Sequence, residues 1–292
     1  MKVHLVDGTY ELFRQHFGAA GKHRDPSPFA ATLGAVTSTL ALLEEGATHL
    51  AVATDHEIES FRNDLYHGYK TGEGLPDEIV HQIPLLEQAL EALGVTVWPM
   101  GRYEADDGLA AGAAVANADT RVTQVLLVTP DKDLAQCVVG DRVVQFDRRS
   151  GAITDHDGVV AKFGVAPASI PDYLALVGDT ADGFPGLPGW GATSTSTVLA
   201  RYQHLEHIPH DAEQWEVKVR GAAKLAATLR DQRDLAMLFR DVATVRTDVS
   251  DDVTIGAVDD WRWKGPSNAF DTLMHDLGAP RLMERALRAA AG

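Results

Sequence analysis

One cysteine, Cys137, occurs in 292 residues. That excludes an internal disulfide framework and any thiolate zinc cage. It points to a reducing, cytoplasmic setting, with Cys137 in LAQCVV as a small apolar packing residue. Basic residues are also scarce: 26 Lys and Arg face 42 Asp and Glu, a formal net charge of −16. Such a balance speaks against a broadly basic nucleic-acid surface. No apolar run reaches the roughly 18 residues of a membrane span, and MKVHLVDG has no signal-peptide pattern. No membrane partner is expected. The remaining composition, 45% hydrophobic and 23% charged, suits an ordinary globular chain with ample core.

Carboxylates, in contrast, stand at chosen places. Asp7 closes the apolar run VHLVD, Asp55 closes HLAVATD, and Asp131 and Asp133 follow QVLLV in TPDKD. Glu104, Asp106 and Asp107 open a helix in YEADD, and Asp179 and Asp182 sit three apart in GDTADGFPG. Ligands of an open parallel sheet bind beyond the carboxyl ends of its strands. Strands delivering acids there predict a shared pocket, and so many like charges require neutralising cations. Hard oxygen donors without His or Cys favour Mg²⁺ or Mn²⁺ over zinc. Setting these nine aside still leaves 33 acids against 26 bases, so any DNA contact must rest on local basic patches.

Strand-like runs at 3–7, 49–54, 95–98, 123–128 and 142–147 alternate with helical spacing at 9–17, 28–45, 77–93 and after Tyr103. That alternation predicts βαβ units and a mainly parallel sheet. Beyond about residue 156 the spacing turns helical, with an extended piece at 242–256 and a soft boundary at 157–170. The polar, glycine-bearing stretch 56–78 reads as a long loop or lid.

Each motif also has a plain structural reading. The acids of YEADD suit a helix cap, worth about 0.3–1 kcal/mol each, although three acids in four positions exceed what a cap uses. The DxD at 131–133 is common turn chemistry. Arg62 and Lys70 are either solvated loop charges or the cations that stabilise charge on a phosphate. Tyr66 and Tyr69 are either packing residues or faces for base stacking, worth about 1–3 kcal/mol per base. GLPGWGATSTS (186–196) is a glycine-rich turn into a helix N-terminus, where the amides of Gly186, Gly189 and Gly191 and the hydroxyls of Thr193 and Ser194 suit backbone phosphates or a cap.

Taken in order, LVDG (5–8), ATDHEIESFRNDLYHGYK (53–70), YEADD (103–107), TPDKDLAQ (129–136), LVGDTADGFPGLPGWG (176–191) and VATVRTDV (242–249) resemble the structure-specific 5′-nucleases, the flap endonuclease and 5′-3′ exonuclease family. The resemblance is closest to the 5′-nuclease domain of bacterial DNA polymerase I, here as a stand-alone protein. It implies a PIN-like α/β nuclease core at 1–165, with an arch near 62–90, then a helical DNA-binding region at 166–292. That region would contain a helix–turn–helix near 174–202, with K⁺ on the carbonyls of its turn. It further implies two metal ions, the first favouring Asp7, Asp55, Glu104 and Asp106, the second Asp131, Asp133, Asp179 and Asp182, with Asp107 near both. Lys70 matches the family's active-site lysine and Arg62 its nearby arginine. The substrate implied is a DNA 5′ flap, junction or duplex 5′ end, with RNA/DNA hybrid also compatible, in replication and repair. Two departures remove positive charge: Glu73 stands where an arginine is usual, and Thr193 where lysine is frequent. Two alternatives stay open, a junction-binding protein with weak or lost catalysis and a PIN-type ribonuclease or phosphohydrolase.

Overall fold

The structure is a computed structural model describing residues 1–20 and 27–291. Its first half runs β1 (Lys2–Asp7), α1 (Gly8–Ala20), α2 (Ala30–Glu44), β2 (His49–Asp55), α3 (Phe61–Leu65), α4 (Asp77–Val80), α5 (Gln82–Ala92), β3 (Thr96–Met100), α6 (Ala105–Ala118) and β4 (Gln124–Val128). Then follow β5 (Val143–Asp147), β6 (Ala152–Thr154), α7 (His156–Phe163), α8 (Ile170–Val177), α9 (Ala192–Tyr202), α10 (Ala222–Asp231), α11 (Arg233–Ala243), α12 (Asn268–Asp276) and α13 (Arg281–Ala291). The chain divides into two compact units that interleave in sequence: residues 1–58, 72–129 and 246–292 form one, and 59–71 with 130–245 form the other.

In the first unit β3, β2, β1 and β4 lie side by side, all parallel. Val6 pairs with Val52 on one side and Val128 on the other. Strands buried on both faces read as nearly continuous apolar runs, which is why VHLV, LAVA and VLLV stand out in the sequence. The alanine- and glycine-rich α6 packs closely on this sheet. A Cβ at Gly112 would collide with the Trp98 ring, itself edge-on to Trp261.

The second unit holds the antiparallel pair β5–β6 and the helices α7 to α11. Leu174 and Leu176 of α8, Val198, Leu199 and Tyr202 of α9, and Phe239 and Val242 of α11 share one apolar core with Phe184 and Trp190. Among the described residues no single helix is long and apolar enough to cross a membrane; α7 and the segment ending in α8 pass such a test only as a pair bent by 45°.

Three local expectations are revised. The stretch 56–78 is not one open loop, because Ser60 and Asn63 cap a helical turn, α3. The helix expected at 77–93 breaks at His81 into α4 and α5. The piece at 242–256 begins as the end of α11 and continues as turns. Cys137 is half-buried.

Candidate active site

In the first unit Asp7 and Asp55 end adjacent parallel strands. Asp7 Oδ1 accepts the Tyr10 amide at 2.8 Å and its Oδ2 accepts the Thr129 hydroxyl at 3.1 Å. Asp55 Oδ1 accepts the Ala105 amide at 2.7 Å, which places it against the first turn of α6. Glu104 caps that helix and is buried. Asp107, 0% exposed, accepts the Glu104 amide at 2.9 Å on Oδ2 and the Arg246 amide at 2.7 Å on Oδ1. Its capping role is therefore real. Asp106 is half-buried beside it. Asp252 was missed from sequence; its Oδ2 accepts the amides of Gly101 and Tyr103 at 3.0 and 2.7 Å and so fixes the approach to Glu104.

In the second unit Asp133, Asp179 and Asp182 each present an oxygen within 4.8 Å of the others. A 3-10 turn beginning at Asp133 delivers the first. A tight loop delivers the other two, closed by reciprocal main-chain bonds of 2.8 and 3.0 Å between Asp179 and Phe184. Asp133 Oδ1 is buried and finds no hydrogen-bond partner. Burial, then repulsion from Asp131, Asp182 and Asp179, pushes the Asp133 carboxyl well above its ordinary range, against the pull of Lys132. Asp131 is exposed as a residue, yet its carboxyl sits among protein atoms. That desolvation, with Asp182 nearby, raises its pKa despite the Asp133 amide and the two lysines.

Two lysines answer this charge. Lys70 Nζ lies 2.9 Å from Asp182 Oδ1, and Lys132 Nζ lies 2.6 Å from Asp179 Oδ2. Burial works against the Lys132 charge, but its hydrogen bond and attraction to Asp179 prevail and raise its pKa. Lys70 is placed by its own amide, which donates to the Asp182 carbonyl at 2.9 Å, and by the Asn63 side chain, which donates to the Lys70 carbonyl at 2.9 Å. Gly183, at φ +86°, makes this possible, since a Cβ there would run into the Gly68 carbonyl.

The flanking residues behave differently from expectation. Arg62 is 3% exposed, and its guanidinium donates to the carbonyls of Val242 at 2.8 Å and Thr244 at 3.3 Å. It is a buried clamp on the end of α11, not a solvated loop charge. Tyr69 is 5% exposed and belongs to the apolar core, so its ring offers no free face to a base. It lies instead beneath Lys70, whose Nζ stands 5.4 Å from the ring centre.

At the turn, Gly189, Gly191, Thr193, Ser194 and Thr197 line one wall of a cleft of about 660 Å³. Ser194 Oγ bonds the main chain of Gly191, so it caps α9. Gly186 lies outside this cleft; at φ +69° it turns the chain where a Cβ would strike the backbone of residues 176–178. The other wall brings Lys218, Arg220 and Lys224. None of the three forms an ion pair among the described residues. They supply positive charge that Thr193 does not, and no local pattern announces them.

The first unit carries parallel strands ending in acids, and the second a cluster of three carboxylates at a spacing that could hold a hard divalent cation. Comparison places the chain more closely. Residues 2–164 match the model of the 5'-3' exonuclease N-terminal resolvase-like domain, and 165–269 that of the 5'-3' exonuclease C-terminal SAM fold. The chain belongs to the 5'-3' exonuclease family. It is similar to DNA polymerase I of Mycobacterium leprae, 34% identical over 83% of this chain and 27% of that protein. DNA polymerase I of Pseudomonas aeruginosa is 33% identical over 86% of this chain and 28% of that protein. The chain thus spans little more than a quarter of these relatives' length. Its fold is similar to zinc-bound T5 5'-exonuclease, with a TM-score of 0.68 at 19% identity over 95% and 98% of the two chains. It is also similar to flap endonuclease-1 from Methanococcus jannaschii, with a TM-score of 0.60 at 14% identity over 99% and 92%.

Proposed function

We propose that the chain is a divalent-metal-dependent 5′-nuclease that hydrolyses phosphodiesters at 5′ flaps and duplex 5′ ends of DNA. The observation that carries this is the cluster of Asp133, Asp179 and Asp182, with an unpartnered buried oxygen on Asp133. Oxygen-only donors at that spacing fit Mg²⁺ or Mn²⁺. Asp131, Asp133, Asp179 and Asp182 would hold one ion and Asp7, Asp55, Glu104 and Asp106 the other, with Asp107 bracing α6. This division follows the two compact units, the first set falling in the second unit and the second set in the first.

Bound divalent ions would polarise the scissile phosphate and lower the pKa of the attacking water. The acids would hold those ions, and Lys70, beside Asp182, offers positive charge to the transition state from the rim of the cluster. Arg62 acts from beneath by fixing the chain beyond α11. The cleft walled by Thr193, Ser194, Lys218, Arg220 and Lys224 would grip duplex phosphates without reading sequence, with K⁺ on the carbonyls of the 186–191 turn. A functional division near residue 165 and a cytoplasmic setting belong to the same reading, as does action on RNA/DNA hybrid.

Cleavage of a 5′-labelled flap duplex with Mg²⁺, Mn²⁺ or EDTA, with products sized on a denaturing gel, tests it. Metal-dependent products at the junction are expected, and Asp131→Asn should abolish them while flap binding persists. Tight binding without cleavage in either metal would replace this reading by the junction-binding one, and undiminished cleavage by Asp131→Asn would sink the metal assignment.

A further inference from the structure

Away from the acidic cluster, the second unit holds a pair of histidines whose free nitrogens are defined by their surroundings. His204 Nδ1 lies 2.9 Å from Asp172 Oδ2, and Asp172 is 2% exposed. His207 Nδ1 lies 3.1 Å from the Tyr202 carbonyl. A carboxylate and a carbonyl only accept, so in each neutral ring Nδ1 carries the proton and Nε2 the lone pair. This is the arrangement of histidines that bind metal, whose other ring nitrogen donates to a carboxylate or carbonyl.

The backbone brings the two rings together. Gln203 ends α9 at φ +66°, the single non-glycine residue with positive φ among those described. A 3-10 turn over Leu205–His207 follows, pinned by the buried Leu205 and Ile208. The ring centres stand 5.8 Å apart, with planes at 67°. Two imidazoles sharing one zinc through nitrogens at about 2.0–2.1 Å have centres roughly 5 Å apart, near the separation found here. Asp172 is itself held, accepting the Leu205 amide at 3.0 Å and Arg240 Nη1 at 3.3 Å. Glu206, between the histidines, is committed to Arg240 at 2.6 Å.

We propose that His204 and His207 anchor a site for an imidazole-binding divalent metal of the zinc class, with water completing its coordination. The site does not rest on the nuclease reading and prefers a different metal: imidazole nitrogens select Zn²⁺, Cu²⁺ or Ni²⁺, whereas the carboxylates suit Mg²⁺ or Mn²⁺. A metal there ties the 202–210 turn, through Asp172 and Arg240, to α8 and α11.

The test is titration of the full chain with Zn²⁺ in excess Mg²⁺, which keeps the carboxylates occupied, followed by calorimetry and by ¹⁵N NMR of the histidine rings. One equivalent of Zn²⁺ should shift the Nε2 signals of His204 and His207 and raise the melting temperature. His207→Gln, at an exposed position, should remove this equivalent while leaving Mg²⁺-dependent cleavage intact. Asp172→Asn should weaken it about 10–100-fold, the usual effect of losing such an outer partner. Zinc binding unchanged in His207→Gln, or lost only in Asp133→Asn, would overturn the proposal.

Discussion

Asp133 shows how one residue can be costly to folding and suited to chemistry. The folded chain keeps its carboxyl protonated to higher pH than the ordinary 3.8, because burial and acidic neighbours oppose ionisation. Between those two values the unfolded state binds fewer protons than the folded one, so stability falls as pH rises from about 4 through the folded pKa. Below both values the penalty vanishes, and above both it is complete. In EDTA the melting temperature of the wild type should therefore decline more steeply over this range than that of Asp133→Asn, which has no charge to bury. The variant should melt no lower than wild type at neutral pH, yet lose cleavage by about 10²-fold or more, the scale of removing one stabilising group. Parallel melting curves for the two proteins would refute the assignment of Asp133 as a strained metal ligand.

Elements, more than single side chains, place Lys70. The segment before it is tied to the 179–184 loop by the Lys70 amide on the Asp182 carbonyl and by the close approach of Gly183 to Gly68. Gly183→Ala adds a Cβ at a positive φ and against a carbonyl, so one segment must move. A shift of about 1 Å in a positioning group can cost about 10²-fold in rate. Gly183→Ala should then lose turnover as Lys70→Met does, with the melting temperature reporting any wider damage; full turnover would separate this loop from the chemistry. Little of this was legible beforehand. The strands and their closing acids were, because apolar runs such as VHLV stop abruptly at a carboxylate. FRNDL was not read as helix, because its support comes from the Ser60–Asn63 cap and not from periodicity. The break at His81 goes with Pro84, which lacks an amide and is tolerated only in a first turn. The polar stretch around Tyr69 leaves packing and base stacking both open, and the residue is drawn into the core of Phe184 and Phe239. The sequence marks Asp133, Asp179 and Asp182, which the fold brings together, whereas the Lys132–Asp179 pair and the Asp252 brace depend on approaches that no spacing records.

For the whole molecule, the question raised by a net charge of −16 is how it would hold a polyanion. Several arginines here are spent on acids: Arg121 on Asp119 and Asp259, Arg201 on Glu216, Arg240 on Asp172 and Glu206, Arg285 on Glu44. Lys218, Arg220 and Lys224 form no such pairs among the described residues and share one cleft with the start of α9. Each phosphate neutralised steepens the dependence of log K on log salt by about 0.9 for duplex DNA. Replacing the three by glutamine should therefore make that slope shallower by about 2–3 and weaken flap binding most at low salt, while turnover at saturating DNA holds, because none of them touches the acids. An unchanged slope would mean that the duplex lies elsewhere. A steeper loss in Lys70→Met than in the triple variant would place most of the binding charge at the cluster itself.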